Sequence, residues 1–141
     1  MKLFLDANIL FTAAYSPRGL SRAILDSAEA LSCPLFTSGY ALEEARRNLA
    51  LKAPAKVPEL DIIIPRLVII PEPSPEQVRR AIKLPLALKD APVMAAAAAC
   101  GADILITGDR RDFGHLFGEI VEGVRVLPPR EALDMILKRQ V

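Results

Sequence analysis

The sequence is poor in the residues that build thiol- and imidazole-based sites. Cys33 and Cys100 are the only cysteines, His115 is the only histidine, and tryptophan is absent. Two cysteines in separate apolar segments do not make a disulfide framework, and a single histidine does not complete a Cys/His zinc site. We therefore expect reduced thiols and a cytoplasmic location, because disulfides persist mainly in oxidising compartments.

Aromatic residues and unbalanced charge are also scarce. Aromatic side chains make up 5% of the chain, so we do not expect a platform on which nucleic-acid bases stack. The formal net charge of +1 excludes a histone-like electrostatic binder but is compatible with a local basic patch. No uninterrupted apolar run reaches the roughly 20 residues of a membrane-spanning helix, so we expect no membrane association.

The sequence does contain enough apolar residues for a folded core. Hydrophobic residues make up 52% of the 141 residues and charged residues 25%, which is typical of a globular chain and not of a disordered one. A chain of this length matches one domain of ordinary size. We therefore predict a single domain over residues 1–141.

Short apolar runs alternate with helical patterns along the chain. Five runs predict strands, at residues 2–5, 34–37, 67–70, 103–107 and 124–127. Ser16-Pro17 predicts the start of a helix that continues to Leu31, and Ser74 begins a capping box. Strands separated by helices indicate βαβ units, so we predict a three-layer α/β/α fold with a parallel, roughly five-stranded sheet.

Acidic residues fall near the carboxyl ends of the predicted strands, or at the starts of helices beside them. They are Asp6, Glu43, Glu44, Asp90, Asp109 and Asp112. Ligands of parallel sheets bind in the crevice beyond the carboxyl ends of the strands, so these side chains are expected to share one site. Asp103 opens the fourth strand at the opposite end, and we assign it to structure.

Clustered carboxylates suit a divalent cation, because without a neutralising partner each raises the pKa of its neighbours. Mg²⁺ and Mn²⁺ prefer oxygen ligands and can supply hydroxide near neutral pH. Each acid also has an ordinary structural interpretation when it is taken alone. Asp6 and Asp90 are suitable helix caps, Glu43 and Glu44 suit a salt-bridged helix face, and Gly108-Asp109 is common in turns.

Four segments resemble those of PIN-domain proteins, the family found as bacterial and archaeal toxin ribonucleases. They are LFLDANIL at 3–10, TSGYALEEARRNL at 37–49, KDAPVMAAAAACGADILITGD at 89–109 and GDRRDF at 108–113. Each motif alone is weak, but the four occur in the order found in the family and cover roughly the first 115 residues. The resemblance therefore identifies the chain as a PIN-like domain.

The resemblance implies an endoribonuclease that depends on Mg²⁺ or Mn²⁺ and acts as the toxin of a toxin–antitoxin pair. It implies an RNA substrate, a homodimer and a small antitoxin that inserts a charged segment into the acidic site. The implied catalytic acids are Asp6, Glu44, Asp90 and Asp109. The implied metal ligands are Asp6, Asp90, Asp109 and Asp112. The resemblance favours Glu44 over Glu43 as the inward-facing acid, and it implies supporting roles for Asn8 and Thr107.

Basic pairs near the acids are expected to bind the phosphates of RNA. Arg110 and Arg111 flank the acidic loop directly, and Arg46 and Arg47 follow Glu44 on its helix. The other interpretation of such pairs is a solvated helix face.

Two alternative functions stay open at this stage. A haloacid-dehalogenase-like phosphatase also has an acid after its first strand and a Gly-Asp turn after its fourth. That chemistry requires a second acid two residues after the first, where this chain has Asn8. The other alternative is a non-catalytic RNA- or protein-binding module on the same fold, although a negatively charged pocket does not favour RNA binding.

Overall fold

A computed structural model describes residues 1–138, which form a six-stranded sheet flanked by helices. The strands are β1 (Leu3–Leu5), β2 (Leu35–Ser38), β3 (Val68–Ile70), β4 (Ile104–Ile106), β5 (Ile120–Val121) and β6 (Val124–Leu127). The helices are α1 (Ala7–Tyr15), α2 (Leu20–Ala30), α3 (Gly39–Lys52), α4 (Val57–Ile63), α5 (Pro75–Ile82), α6 (Ala91–Ala99), α7 (Arg110–Phe113) and α8 (Pro129–Lys138). This architecture confirms the predicted α/β/α fold class.

The strand order is β3-β2-β1-β4-β6-β5, and all neighbouring pairs except the last are parallel. The five predicted strands are those of the parallel part. The sixth strand, β5, was not predicted, and it runs antiparallel to β6. Glu122 and Gly123 join these two strands with positive φ values of 52° and 81°, as a two-residue hairpin turn requires. Two residues are too short a run to produce a strand signal.

The central strands carry the core. Every residue of β1 and β4 is buried, including Phe4 and Leu105. Helices cover both faces of these strands, which is why their sequences are continuously apolar instead of alternating. The alanine-rich helix α6 is buried along most of its length, because its small side chains allow close packing.

The helix boundaries near the N-terminus differ from the prediction. The single helix expected from Ser16-Pro17 is preceded by α1, and α2 begins only after Gly19. The Ser16 N–H donates to the Thr12 carbonyl and closes α1, while the Gly19 N–H donates to the Ser16 carbonyl in a turn. Proline occurs both in turns and at the start of helices, so Ser-Pro predicted the wrong element here.

Other local predictions are confirmed. Ser74 and Gln77 form a reciprocal capping box at the start of α5. Gly101, with a φ of 69°, follows the end of α6. Asp103 accepts a hydrogen bond from the Lys2 N–H at 2.7 Å, at the end of the sheet opposite the acids. Both cysteines are free thiols. Within the described residues, no helix combines the length and apolar content needed to cross a bilayer.

Candidate metal centre

The parallel pairing of β1 with β4 brings two distant acids together. Leu5 lies opposite Ile106 in the ladder, so both strands end at the same edge of the sheet. Asp6 follows β1 directly, and Asp109 follows β4 after a short loop. The topology therefore places their carboxylates at one edge, as expected from the rule for parallel sheets.

Asp6 is buried and held by hydrogen bonds on both carboxylate oxygens. The Ala7 N–H donates to Oδ1 at 2.7 Å, so Asp6 does cap α1. The Thr107 hydroxyl donates to Oδ2 at 2.9 Å, and the Asn8 amide donates to the same oxygen at 3.1 Å. Asn8 Oδ1 also accepts from the Gly108 N–H. This network fixes the end of β1 to the loop after β4.

Burial is the main cause that raises the pKa of Asp6 from 3.8 to about 6. The hydrogen bonds from Thr107 and Ala7 favour the charged carboxylate and act in the opposite direction. The nearby negative charges of Glu44 and Asp109 raise the pKa further. Burial therefore outweighs the hydrogen bonds that stabilise the charged Asp6 carboxylate, and the neighbouring acids add to its effect.

Three other carboxylates form a compact group. Oxygens of Asp90, Asp109 and Asp112 all lie within 4.8 Å of one another. Asp109 caps α7, because its Oδ1 accepts the Asp112 N–H at 2.9 Å, and this turn brings the Asp112 side chain beside it. Asp90 immediately precedes α6 but makes no side-chain cap hydrogen bond. The capping interpretation of Asp90 is therefore wrong.

The unsatisfied oxygen of Asp90 indicates what this group could hold. Asp90 is 8% exposed, and among the described residues its Oδ2 is a buried acceptor without a hydrogen-bond donor. Such atoms are uncommon in folded proteins. Burial, followed by the charges of Asp6 and Asp112, raises the pKa of Asp90 from 3.8 to about 7. A hard divalent cation would compensate both the missing donor and the mutual repulsion, so the residues fit Mg²⁺ or Mn²⁺.

Two residues near the group were not predicted. The Lys89 ammonium contacts Asp112 Oδ2 at 3.1 Å, which lowers the pKa of Asp112 and raises the pKa of Lys89. The Tyr40 hydroxyl donates to the Lys89 carbonyl at 2.9 Å. Lys89 lies next to Asp90 in the sequence, but adjacency does not indicate which carboxylate a flexible lysine reaches. Tyr40 gave no sequence signal for this contact.

The predicted catalytic acids line one cleft but do not all meet at one point. Asp6, Glu44, Asp90 and Asp109 border a cleft of about 570 Å³. Asp6 and Glu44 lie on its wall outside the compact group of Asp90, Asp109 and Asp112. Asp6 nevertheless lies near this group, because its charge is the largest neighbouring charge that raises the pKa of Asp90. The role of Asp6 as a metal ligand stays a prediction. Glu43 is exposed on the outer side of α3.

The basic pairs differ in their surroundings. Arg110 and Arg111 are exposed on α7, directly beside the compact group, and the Arg110 guanidinium lies 6.0 Å from the centre of the Phe117 ring. Arg46 is bound to Asp61 at 3.0 Å, and Arg47 is exposed on α3. Within residues 1–138, Arg110 and Arg111 therefore form no ion pair and keep positive charge near the acids, whereas Arg46 has an acidic partner elsewhere.

The chain is similar to known proteins in sequence and in fold. A family model described as PIN domain matches residues 2–111. No curated protein matches the chain in sequence at a significant level. The fold is similar to that of VapBC2 from Rickettsia felis bound to a DNA fragment of its promoter, with a TM-score of 0.71, 19% identity and coverage of 91% of this chain and 98% of that chain.

Two further solved structures share the fold at low sequence identity. PAE2754 from Pyrobaculum aerophilum has a TM-score of 0.70 and 18% identity, covering 98% of this chain and 90% of that chain. VapC20 from Mycobacterium tuberculosis, a toxin described as cleaving the sarcin-ricin loop, has a TM-score of 0.54 and 16% identity, covering 76% and 91%. These structures support the fold, and the family model covers more than half of the sequence. The chain belongs to the PIN-domain family.

Proposed function

We propose that this protein is an endoribonuclease that depends on Mg²⁺ or Mn²⁺, and that it is the toxin of a toxin–antitoxin pair. The observation that carries the proposal is the compact group of Asp90, Asp109 and Asp112, with a buried oxygen of Asp90 that has no donor in the part of the chain that the structure describes. Two separate segments of the chain contribute these acids, so their proximity is a product of the fold. Membership of the PIN-domain family supports nuclease chemistry at such a group.

The carboxylates of Asp90, Asp109 and Asp112 would hold the ion, and Asp6, whose charge acts on Asp90, is the fourth proposed ligand. When bound, Mg²⁺ or Mn²⁺ supplies hydroxide near neutral pH and offsets negative charge that develops on a phosphodiester. Asp6 adds negative charge and, through Thr107 and Asn8, keeps the loop after β4 in place. We assign Thr107 and Asn8 the supporting roles that the resemblance implies, and these contacts support the assignment.

The proposed general base is Glu44. It lies on α3, on the same cleft wall as Asp6, and contributes to the raised pKa of that residue. A carboxylate at this position can accept the proton of an attacking water, and such proton transfer contributes typically about 10²–10⁴-fold in rate. The proposal assigns this role to Glu44 and none to the exposed Glu43.

RNA is the proposed substrate, and Arg110 and Arg111 are its proposed phosphate contacts. Their exposed side chains lie on α7, the helix that Asp109 caps, so a phosphate that they bind lies close to the acids. Cationic side chains offset the repulsion between a negative cleft and a polyanion. The structural neighbour VapC20, which is described as cleaving an RNA loop, supports this substrate class. Arg47 is a secondary candidate contact on α3, and Arg46 contributes less because Asp61 binds it.

A small antitoxin and a second copy of the chain are the proposed partners. A toxin–antitoxin complex from Klebsiella pneumoniae contains a chain with a similar fold, at a TM-score of 0.61 and 22% identity, and this supports the proposal. An antitoxin that brings a charged segment into the cleft would compete with RNA for the same acidic site. A cytoplasmic location is part of the same proposal.

Cleavage of a fluorescent single-stranded RNA by the purified chain tests the proposal. We expect cleavage with millimolar Mn²⁺ or Mg²⁺ and none in excess EDTA. The variant Asp90→Asn should lose activity by at least about 10²-fold, whereas the matched variant Asp103→Asn, at the opposite end of the sheet, should retain it.

The alternatives make different predictions in the same experiment. Cleavage that persists in EDTA contradicts the metal site. Binding of RNA without cleavage at any metal concentration supports the non-catalytic binding module. Release of phosphate from small phosphomonoesters without RNA cleavage supports the phosphatase, but Asn8 donates its amide to Asp6 and cannot supply the required acid.

A further inference from the structure

We propose that the Lys89 ammonium is an internal counter-cation of the acidic group, which binds Asp112 in the metal-free protein and competes there with the divalent ion. The inference rests on the metal site of the proposed function. It assigns Lys89 a role in setting metal affinity, and this role is separate from the ligands themselves.

Lys89 contacts two helices, α7 through its side chain and α3 through its backbone. Its ammonium contacts Asp112 Oδ2 at 3.1 Å, on α7. Its backbone is held on the other side, where its carbonyl accepts the Tyr40 hydroxyl at 2.9 Å. The Asp90 N–H also donates to the Ala87 carbonyl in a tight turn around Lys89. The position of the ammonium is therefore determined by a fixed backbone as well as by charge.

The contact joins a well-exposed lysine to a largely covered carboxylate. The Lys89 side chain is 66% exposed, whereas that of Asp112 is 16% exposed. An exposed lysine has many solvated conformations, and holding one of them costs side-chain entropy. The negative charge of three adjacent carboxylates accounts for its position over the group.

Lys52 provides a comparison within the same cleft. Its side chain also borders the cleft, but its ammonium lies 5.7 Å from the centre of the Phe11 ring. Within residues 1–138, Lys89 is the only lysine that forms an ion pair with a member of the compact group. A charge-neutralising substitution at either lysine removes one positive charge from the cleft, but only Lys89 contacts a proposed ligand.

A divalent ion that uses Asp112 must displace the Lys89 ammonium from it. Breaking the Lys89–Asp112 ion pair makes the binding free energy of the divalent ion less favourable. The displaced ammonium also repels the bound ion. Removing the charge of Lys89 should therefore strengthen divalent-ion binding. For one partly exposed ion pair the expected gain in affinity is roughly two- to fivefold.

Titration of the metal-free full-length chain with Mn²⁺, followed by calorimetry, tests the inference. We expect Lys89→Gln to lower the Kd for Mn²⁺ roughly two- to fivefold, and Lys89→Arg to stay near the wild-type value because it keeps the charge. Lys52→Gln should change the Kd clearly less than Lys89→Gln does. A Kd that is unchanged or higher in Lys89→Gln, or equal effects of both glutamine variants, overturns the inference.

Thermal unfolding supplies a second readout that does not depend on activity. In EDTA, Lys89→Gln should melt roughly 1 to 4 °C below the wild type, because the carboxylates lose their counter-cation. Saturating Mn²⁺ should reduce this difference. If the wild type itself fails to bind Mn²⁺, the metal site and this inference are both wrong. If the wild type binds Mn²⁺ and Lys89→Gln shows neither change, only the inference is wrong.

Discussion

The metal-free protein should become less stable as the pH rises from about 5 to about 8. Burial raises the pKa of Asp6 from 3.8 to about 6, and burial with like charges raises that of Asp90 to about 7. The folded state therefore binds more protons than the unfolded chain between about pH 4 and about pH 7. Within this window the free energy of unfolding falls as the pH rises, because ionisation is less favourable in the folded protein.

The magnitude follows from Asp6. A pKa of about 6 in the folded state against 3.8 in the unfolded chain corresponds to on the order of 3 kcal/mol once the carboxyl is ionised in both states. Roughly half of this, ~1.5 kcal/mol, develops between about pH 5 and about pH 8. Ionisation of Asp90 also lowers the free energy of unfolding over this pH range. Asp112 has a lowered pKa, so its contribution is already complete above about pH 5 and does not reverse the trend.

Urea unfolding in EDTA at the two pH values measures this loss. Asp6→Asn removes one titrating carboxyl, so the pH dependence should become smaller by about 1–2 kcal/mol in that variant. Millimolar Mn²⁺ at the higher pH should restore stability, because an ion that binds only the folded state stabilises it. A free energy of unfolding that is constant or rises from pH 5 to pH 8 would refute the assignment of raised pKa values to these two acids.

Three further predictions concern single side chains. Asp90→Asn should abolish the Mn²⁺-induced rise in melting temperature, measured by scanning fluorimetry, because it removes the ligand oxygen that lacks a donor. Tyr40→Phe should lower the free energy of unfolding in urea by about 0.5–1.5 kcal/mol through loss of one hydrogen bond. Arg110→Gln combined with Arg111→Gln should weaken RNA binding by anisotropy and flatten its salt dependence, while leaving the melting temperature nearly unchanged.

The controls for these predictions lie on the same chain. Arg79→Gln combined with Arg80→Gln removes an exposed basic pair on α5 and should preserve RNA affinity. Equal losses in both double variants would indicate non-specific electrostatics. A full Mn²⁺ shift in Asp90→Asn would place the ion elsewhere, and an unchanged stability in Tyr40→Phe would show that its hydrogen bond is replaced by water.

The parallel part of the fold could be predicted because its signals are local. Continuous apolar runs such as those of β1 and β4 are typical of strands covered on both faces, and helical patterns separate them. These local signals did not indicate the short strand β5 or the break between α1 and α2. A two-residue strand is stabilised by its partner β6, and Pro17 is compatible with either a turn or a helix start.

The candidate site could be predicted in part. The resemblance selected the acids that border the cleft, including Glu44 on its wall. It did not separate Asp6, whose oxygens serve a hydrogen-bond network, from the compact group that includes Asp112. The difference between a carboxylate that holds a loop and one with an unsatisfied oxygen depends on neighbours that are distant in the sequence.

The sequence by itself determined the five parallel strands, most of the helices between them, the acids at the strand ends and the family, because these depend on residue type and spacing along the chain. Tertiary structure alone decided which carboxylate oxygens approach one another, which of them lack a donor, and that Lys89 reaches Asp112. The physical reason is that desolvation and Coulomb interactions act through distances in space, and these are set only when β1, β4 and the start of α6 pack together.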